Sequence, residues 1–279
     1  MESKLFPFKV ALNTSTLFPF KLNVIQQVRI AAEAGYEGIE LWMKDIETYL
    51  AGGGTIEDLK HALSCANIEF INAIAFFKWA DADAEIREKA FKQAKGEMEL
   101  LTSLGCKLIA APPFGDVGTV KLDEATGYFE HLVVMGREIG VEPILEFWGK
   151  AQKLSTLSEA HYVLETSSIQ NTKMLIDPFH MYIGGSDFFR LKELRGEQIG
   201  IFHVNDYPPI PEIEKLEDSD RVFPGEGIAP SNEIAQTLYN IHYSGYLSLE
   251  LFIEDYKGKS ALEVIKHGLQ ALKNSYSIN

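Results

Sequence analysis

The stretch "REIGVEPILEFWG" (residues 137–149) decides how this chain is read. Its first residues end a segment with apolar side chains at helical spacing, and Gly140 stands where helices commonly close in the left-handed conformation. A strand pattern, "VEPILEFWG" (141–149), begins at the next residue. The same helix–glycine–strand junction recurs in "EAGYEGIEL" (33–41) and "TSLGCKLIA" (102–110).

Working outward, seven more stretches read as strands. These are "KVALNTS" (9–15), "GIELWM" (38–43), "EFINAIAFF" (69–77), "KLIAAPP" (107–113), "KMLIDPFHM" (173–181), "GIFHVNDY" (200–207) and "YLSLELF" (246–252). Helical spacing falls between and after them, near 22–35, 56–66, 84–104, 123–139, 156–167, 187–195, 232–243 and 260–273, with Thr55, Ser155, Ser231 and Ser260 as candidate N-caps. Strict alternation implies parallel strands with helical crossovers. Eight units over 279 residues average about 35 each, the size of a (β/α)8 repeat. A doubly wound open sheet usually carries a glycine-rich phosphate loop after its first strand, and "ALNTSTLFPF" (11–20) carries none. The "GGG" at 52–54 lacks a following Lys-Ser/Thr and reads as a turn. The expectation is an α/β fold, a single (β/α)8 TIM barrel spanning residues 1–279 as one domain.

Composition narrows the function class. Hydrophobic residues make up 46% and charged residues 24%, ordinary values for a water-soluble globular chain. The formal charge of −14, with no basic run, argues against a nucleic-acid partner. No apolar run reaches membrane length, and "MESKLFPFKV" (1–10) lacks a signal-peptide pattern. Cys65 and Cys106 form no CxxC pair. A cytoplasmic enzyme or binding protein is expected, with no membrane partner; monomer and homo-oligomer both stay open.

The strands also place polar groups where a barrel is closed. In "YLSLELF", Leu247, Leu249 and Leu251 share one face, and Ser248, Glu250 and Phe252 share the other. By the same alternation Glu146, Asp177 and His203 point away from their apolar neighbours toward the face without helices, which in a barrel is the interior. Three carboxylates and an imidazole meeting there require either basic partners or a cation. Those four strands offer no inward Lys or Arg, which favours a divalent metal. Oxygen-rich ligation with one imidazole suits Mn²⁺ or Mg²⁺, and Zn²⁺ is also compatible.

Other residues gather around that expected site. His180, in "DPFH", reads as a core histidine or a substrate contact, whereas His61, His131, His161, His242 and His267 fall in helical segments. Phe76, Phe114 and Trp148, near strand ends, are candidates for an apolar wall. Asn13, Glu40 and Asn72 on the first three strands are candidates for contacts to hydroxyls. The long connection "YPPIPEIEKLEDSDRVFPGEGIAP" (207–230) falls on the catalytic face of a barrel and carries Arg221, which reads as a substrate contact or as a loop salt bridge with Asp218 or Asp220.

Five motifs in order, "LEFWG" (145–149), "LIDPFHM" (175–181), "FHVND" (202–206), "DRVFPGEG" (220–227) and "LSLELF" (247–252), resemble those of the xylose isomerase-like barrels, the sugar phosphate isomerase/epimerase family. The resemblance covers essentially the whole chain. It implies that Glu146, Asp177, His203 and Glu250 ligate one divalent metal, that Glu146 and Glu250 transfer protons, and that His180, Arg221 and Trp148 contact substrate. Within the family, "NTSTL" (13–17) and the long acidic, proline-bearing loop are most similar to the 2-keto-myo-inositol isomerase branch, with ketose 3-epimerases next. The implied activity is a metal-dependent isomerisation or epimerisation of a keto sugar or inosose, a small molecule, through an enediolate. The absence of an obvious phosphate site favours a non-phosphorylated substrate. An inosose-type dehydratase on the same barrel and a non-catalytic sugar-binding barrel are the alternatives. An endonuclease of the same fold would carry a basic face and extra His and Glu ligands, whereas the first four strands here have no histidine and the formal charge is −14.

Overall fold

The structure, a computed structural model, describes residues 5–278. Its elements run β1 (Lys9–Asn13), α1 (Val24–Ala34), β2 (Gly38–Trp42), α2 (Met43–Ala51), α3 (Ile56–Ala66), β3 (Glu69–Ile74), α4 (Ala84–Leu104), β4 (Leu108–Ala111) and α5 (Leu122–Ile139). They continue with β5 (Glu142–Glu146), α6 (Leu157–Thr166), β6 (Lys173–Ile176), α7 (Pro178–Ile183), β7 (Ile199–Val204), α8 (Ser231–Asn240), β8 (Tyr246–Leu249) and α9 (Ala261–Ser275). The strands pair in sequence order, all parallel, and β8 returns to β1 through pairs such as Val10 with Leu247, closing a TIM barrel. No described helix is long and apolar enough to cross a membrane.

The glycine junctions end helices as their sequence suggests. Gly35, Gly105 and Gly140 cap α1, α4 and α5 with φ of 96°, 83° and 99°, a region where any other side chain would be strained. Thr55 and Ser260 cap α3 and α9. Near 155 the cap is Thr156, one residue later than expected, and Ser231 lies inside α8, whose cap is Pro230.

Strand ends differ more. The stretch read as one strand over 173–181 leaves the sheet after Ile176, because Asp177 caps a helix. Its side chain accepts from the backbone N–H groups of Phe179 and His180, and Pro178 supplies a helix-compatible φ at the first position. β3 stops at Ile74, β1 gives way to a 3-10 helix over Thr14–Phe20, and α2 follows β2 directly where no helix was expected. The helix expected near 187–195 is a 3-10 segment, Phe188–Glu193.

Two layers fill the molecule. Leu12, Ile39, Ala73, Ile109, Leu145, Ile176, Phe202 and Leu249 point outward and pack under the helices. Ala11, Ala110, Ile144, Leu175 and Ile201 fill the barrel interior. Two residues further along β1, β5 and β7, and past the end of β6, the inward positions turn polar: Asn13, Glu146, His203 and Asp177. The apolar layer is therefore the floor on which the polar one rests.

Glu97 is a buried carboxyl outside this polar layer. Glu97 on α4 is 8% exposed; Gln93 Nε2 donates to one of its oxygens at 2.7 Å, and the other has no partner. Burial, reinforced by the negative charge of Glu47, raises its pKa to about 7 from an ordinary 4.5. The folded chain thus keeps a proton that the unfolded chain releases earlier, so stability falls as pH rises between those two values. Glu97→Gln is expected to flatten that decline and, at pH 8, to exceed the parent by up to roughly 3 kcal/mol, with little difference near pH 4. Urea unfolding at several pH values checks this; parallel parent and variant curves would be the contrary result.

Candidate active site

At the carboxyl ends of β6, β7 and β8 three side chains converge. Asp177 uses Oδ1 to cap α7, at 2.7 Å from Phe179 N and 3.2 Å from His180 N. That leaves Oδ2 for the interior, where Asn205 Nδ2 donates to it at 2.9 Å. His203 Nδ1 lies 3.5 Å from Asp177 Oδ2 and 3.1 Å from Glu250 Oε2. Each of the three residues offers a ligand-type atom within 4.8 Å of the others, and all are buried. Glu250 Oε1 is occupied separately, accepting from Asn13 Nδ2 at 2.9 Å.

Glu146 is buried nearby and faces the same cavity, but it stands outside that close trio. Burial raises its pKa to about 8; the His203 charge opposes the rise, and the Glu250 and Asp177 charges add to it. Burial acts to raise Asp177 as well, yet Arg221 and His203 hold it well below the usual carboxylate range. Burial lowers His180 to about 4, so its ring is neutral at pH 7. For His203 the burial effect is overcome by Glu250 and Glu40, which raise it well above the ordinary value.

Beside His203, a second positive group comes from a loop rather than a strand. Arg221, 1% exposed, reaches in from the β7–α8 connection and places Nη1 2.9 Å from Asp177 Oδ2 and 2.5 Å from Glu250 Oε2. Its Nη2 donates to Asp218 at 2.7 Å, so the loop salt bridge and the site contact coexist. The guanidinium also lies over the Phe179 and Phe252 rings, at 4.7 and 4.9 Å. Asp206 shapes this loop by accepting from the backbone N–H groups of Tyr207, Gly225 and Ala229. The four strands carry no inward Lys or Arg, as expected, but the site still receives an arginine from the loop.

The cluster fits a divalent cation on its own chemistry. Two carboxylates and one imidazole converge in it, a donor set suited to such an ion, and Glu146 faces the same cavity. His203 Nδ1, wholly buried and facing two carboxylate oxygens, makes no hydrogen bond.

Above the cluster opens a cavity of about 660 Å³, with Glu146, His180, Arg221 and Glu250 among its lining residues. Phe76, Phe114 and Trp148 line it together, with ring centroids 5.8 to 6.3 Å apart. Trp42 and Phe252, which the sequence reading did not single out, extend this wall. Asn13, Glu40 and Asn72 do not line the cavity as hydroxyl contacts would. Asn13 accepts from the Trp42 indole N–H and donates to Glu250, while Asn72 donates to Glu40. Strand alternation gives the inward direction of Asn13 and Glu40, whereas an irregularity in the pairing of β2 with β3 interrupts the alternation ahead of Asn72.

Residues 28–275 match the family described as "Xylose isomerase-like TIM barrel", and the chain belongs to that family. It is 29% identical to the inosose isomerase of Bacillus licheniformis, over 92% of this chain and 94% of that one. It is 25% identical to a 3-dehydroshikimate dehydratase of Pseudomonas aeruginosa, across 94% of this chain but 40% of the dehydratase. Among solved structures it is similar to the IolI protein with a binding zinc atom, at a TM-score of 0.88 and 26% identity, covering 96% of this chain and 98% of that one.

Removing the basic partner tests how the cluster is held. Arg221→Met leaves Asp177 and Glu250 buried with only His203 to offset their charge, and a loss of about 3–5 kcal/mol is expected without metal. Saturating Mn²⁺ should then raise the melting temperature of the variant more than that of the parent. Equal shifts would mean that the two carboxylates are not what the cation relieves.

Proposed function

We propose that this chain is a divalent-metal-dependent isomerase or epimerase acting on an inosose or a related keto sugar. The observation that carries the reading is the convergence of Asp177, His203 and Glu250 beneath a cavity that Glu146 also faces. The similarity to inosose isomerases supports the substrate class, and the zinc of the similar IolI structure supports a divalent ion.

In this reading Glu146, Asp177, His203 and Glu250 hold the ion, which would supply Lewis acidity toward a carbonyl and its neighbouring hydroxyl oxygen. The chain's own groups do the rest. One of Glu146 and Glu250 takes the proton from the carbon beside the carbonyl, and the other, across the substrate, returns one. Asn13 keeps Glu250 Oε1 engaged as an acceptor, so its other oxygen is the one directed inward. Arg221 and His180, both on the cavity, orient the substrate oxygens and favour negative charge on them. Trp148, with Phe76 and Phe114, packs against the C–H face of the ring and excludes water. Mn²⁺ and Mg²⁺ suit the oxygen-rich donor set, and Zn²⁺ is compatible with it.

A dehydratase would share the first proton removal and then expel a β-hydroxyl; the likeness to the Pseudomonas enzyme is the reason to test for it. Incubating the protein with Mn²⁺ and a panel of inososes and ketoses in D₂O separates the outcomes. Deuterium in recovered substrate or in an isomeric product is expected, without the absorbance of a new conjugated double bond. That absorbance would mark a dehydratase, and sugar binding without exchange would mark a binding protein.

Two sets of variants assign the residues. Glu146→Gln and Glu250→Gln should keep Mn²⁺ binding, if weaker, and lose turnover by about 10²–10⁴-fold. Asp177→Asn retains a good helix cap but a weaker ligand. Its activity should recover in part with excess Mn²⁺. Near-normal turnover in a metal-loaded Gln variant removes that residue from proton transfer.

A further inference from the structure

Glu40 on β2 is wholly buried, does not line the cavity, and has no Lys or Arg partner among the described residues. A carboxylate so placed is strongly unfavourable unless its surroundings use it. Its partners are specific. Asn72 Nδ2 donates to Oε2 at 2.7 Å, and the Ser248 hydroxyl donates to Oε1. Both oxygens also face one ring nitrogen, His203 Nε2, at 3.1 and 3.3 Å.

The opposite side of that ring completes the pattern. His203 Nδ1 points at Glu250 Oε2 and Asp177 Oδ2, at 3.1 and 3.5 Å, and makes no hydrogen bond. A neutral imidazole carries one N–H and one lone pair, and an ionised carboxylate can only accept. When a cation takes the place of the Nδ1 proton, Glu40 against Nε2 would keep the remaining N–H there and leave the Nδ1 lone pair directed at the cluster. We infer that Glu40 is a positioning residue of the metal site, which fixes the ring and tautomer of His203 so that Nδ1 is presented as the ligand atom. The role rests on the metal-dependent reading given above. It needs no contact between Glu40 and substrate, in keeping with the position of Glu40 beneath the cavity floor.

The test measures metal affinity rather than turnover. Mn²⁺ binding by calorimetry should weaken 10–100-fold in Glu40→Gln, the range typical of a carboxylate that orients a histidine ligand. Parent and variant binding Mn²⁺ equally would overturn the Glu40 role while leaving the metal reading intact. A parent that binds no Mn²⁺, Mg²⁺ or Zn²⁺ would overturn the metal reading and the Glu40 role together. Nitrogen-15 NMR of histidine-labelled parent protein keeps the inference testable even if the variant does not fold. On Zn²⁺ addition the His203 Nδ1 resonance should shift as a metal-bound nitrogen while Nε2 keeps a hydrogen-bonded proton. Zinc appearing at Nε2, or a freely exchanging Nε2 proton, would overturn the assignment.

Discussion

The contact of Arg221 with Asp177 and Glu250 governs how the upper half of this barrel can exist. Closing eight parallel strands puts every inward side chain in a space with little water, and here several of those side chains are acids. A guanidinium is the one basic group that stays charged under any burial and meets two carboxylates with fixed geometry. Its delivery from a loop explains why that loop is so heavily determined. Asp206 gathers three backbone N–H groups, Asp218 anchors the outer edge of the guanidinium, and Phe179 and Phe252 cover its faces.

The same contact sets the terms on which a divalent ion would enter. Arg221 Nη1 and His203 Nδ1 approach the same two atoms, Asp177 Oδ2 and Glu250 Oε2. A cation there would share these oxygens with a guanidinium, so the charge at the floor of the cavity is not simply the sum of the acids. Glu146 stands apart from this sharing, with no Arg or Lys partner among the described residues, and burial raises its pKa. The two glutamates therefore differ in their partners even though alternation alone gives both the same inward direction.

Alternation made much of this legible. Leu247, Leu249 and Leu251 against Ser248 and Glu250 orient β8, and the glycines at 35, 105 and 140 mark helix ends that the structure reproduces. Three other features were hidden for physical reasons. The end of β6 depends on a side-chain cap, and Asp177 in an apolar stretch looks like strand until its contacts to Phe179 and His180 are known. Arg221 belongs to a connection without periodicity, so nothing in its spacing tells which way it points. Glu40 carries the same alternation signal as Glu250, but only closure of the barrel brings it against His203, 163 residues away in the chain.

The divided use of Asp177 has one more consequence. One oxygen begins a six-residue helix and the other faces His203 and Arg221 in the interior, so backbone conformation and site geometry are read from a single side chain. A helix of that length has no stability of its own. Its first turn carries His180, and the direction of that imidazole is thus inherited from the carboxylate below it. Any replacement at this position is judged twice, once by geometry and once by charge. Glu would keep the charge but displace the cap, and Ser would keep the cap but lose the charge. Natural variation at residue 177 should for that reason be far narrower than at the equally buried apolar positions beside it.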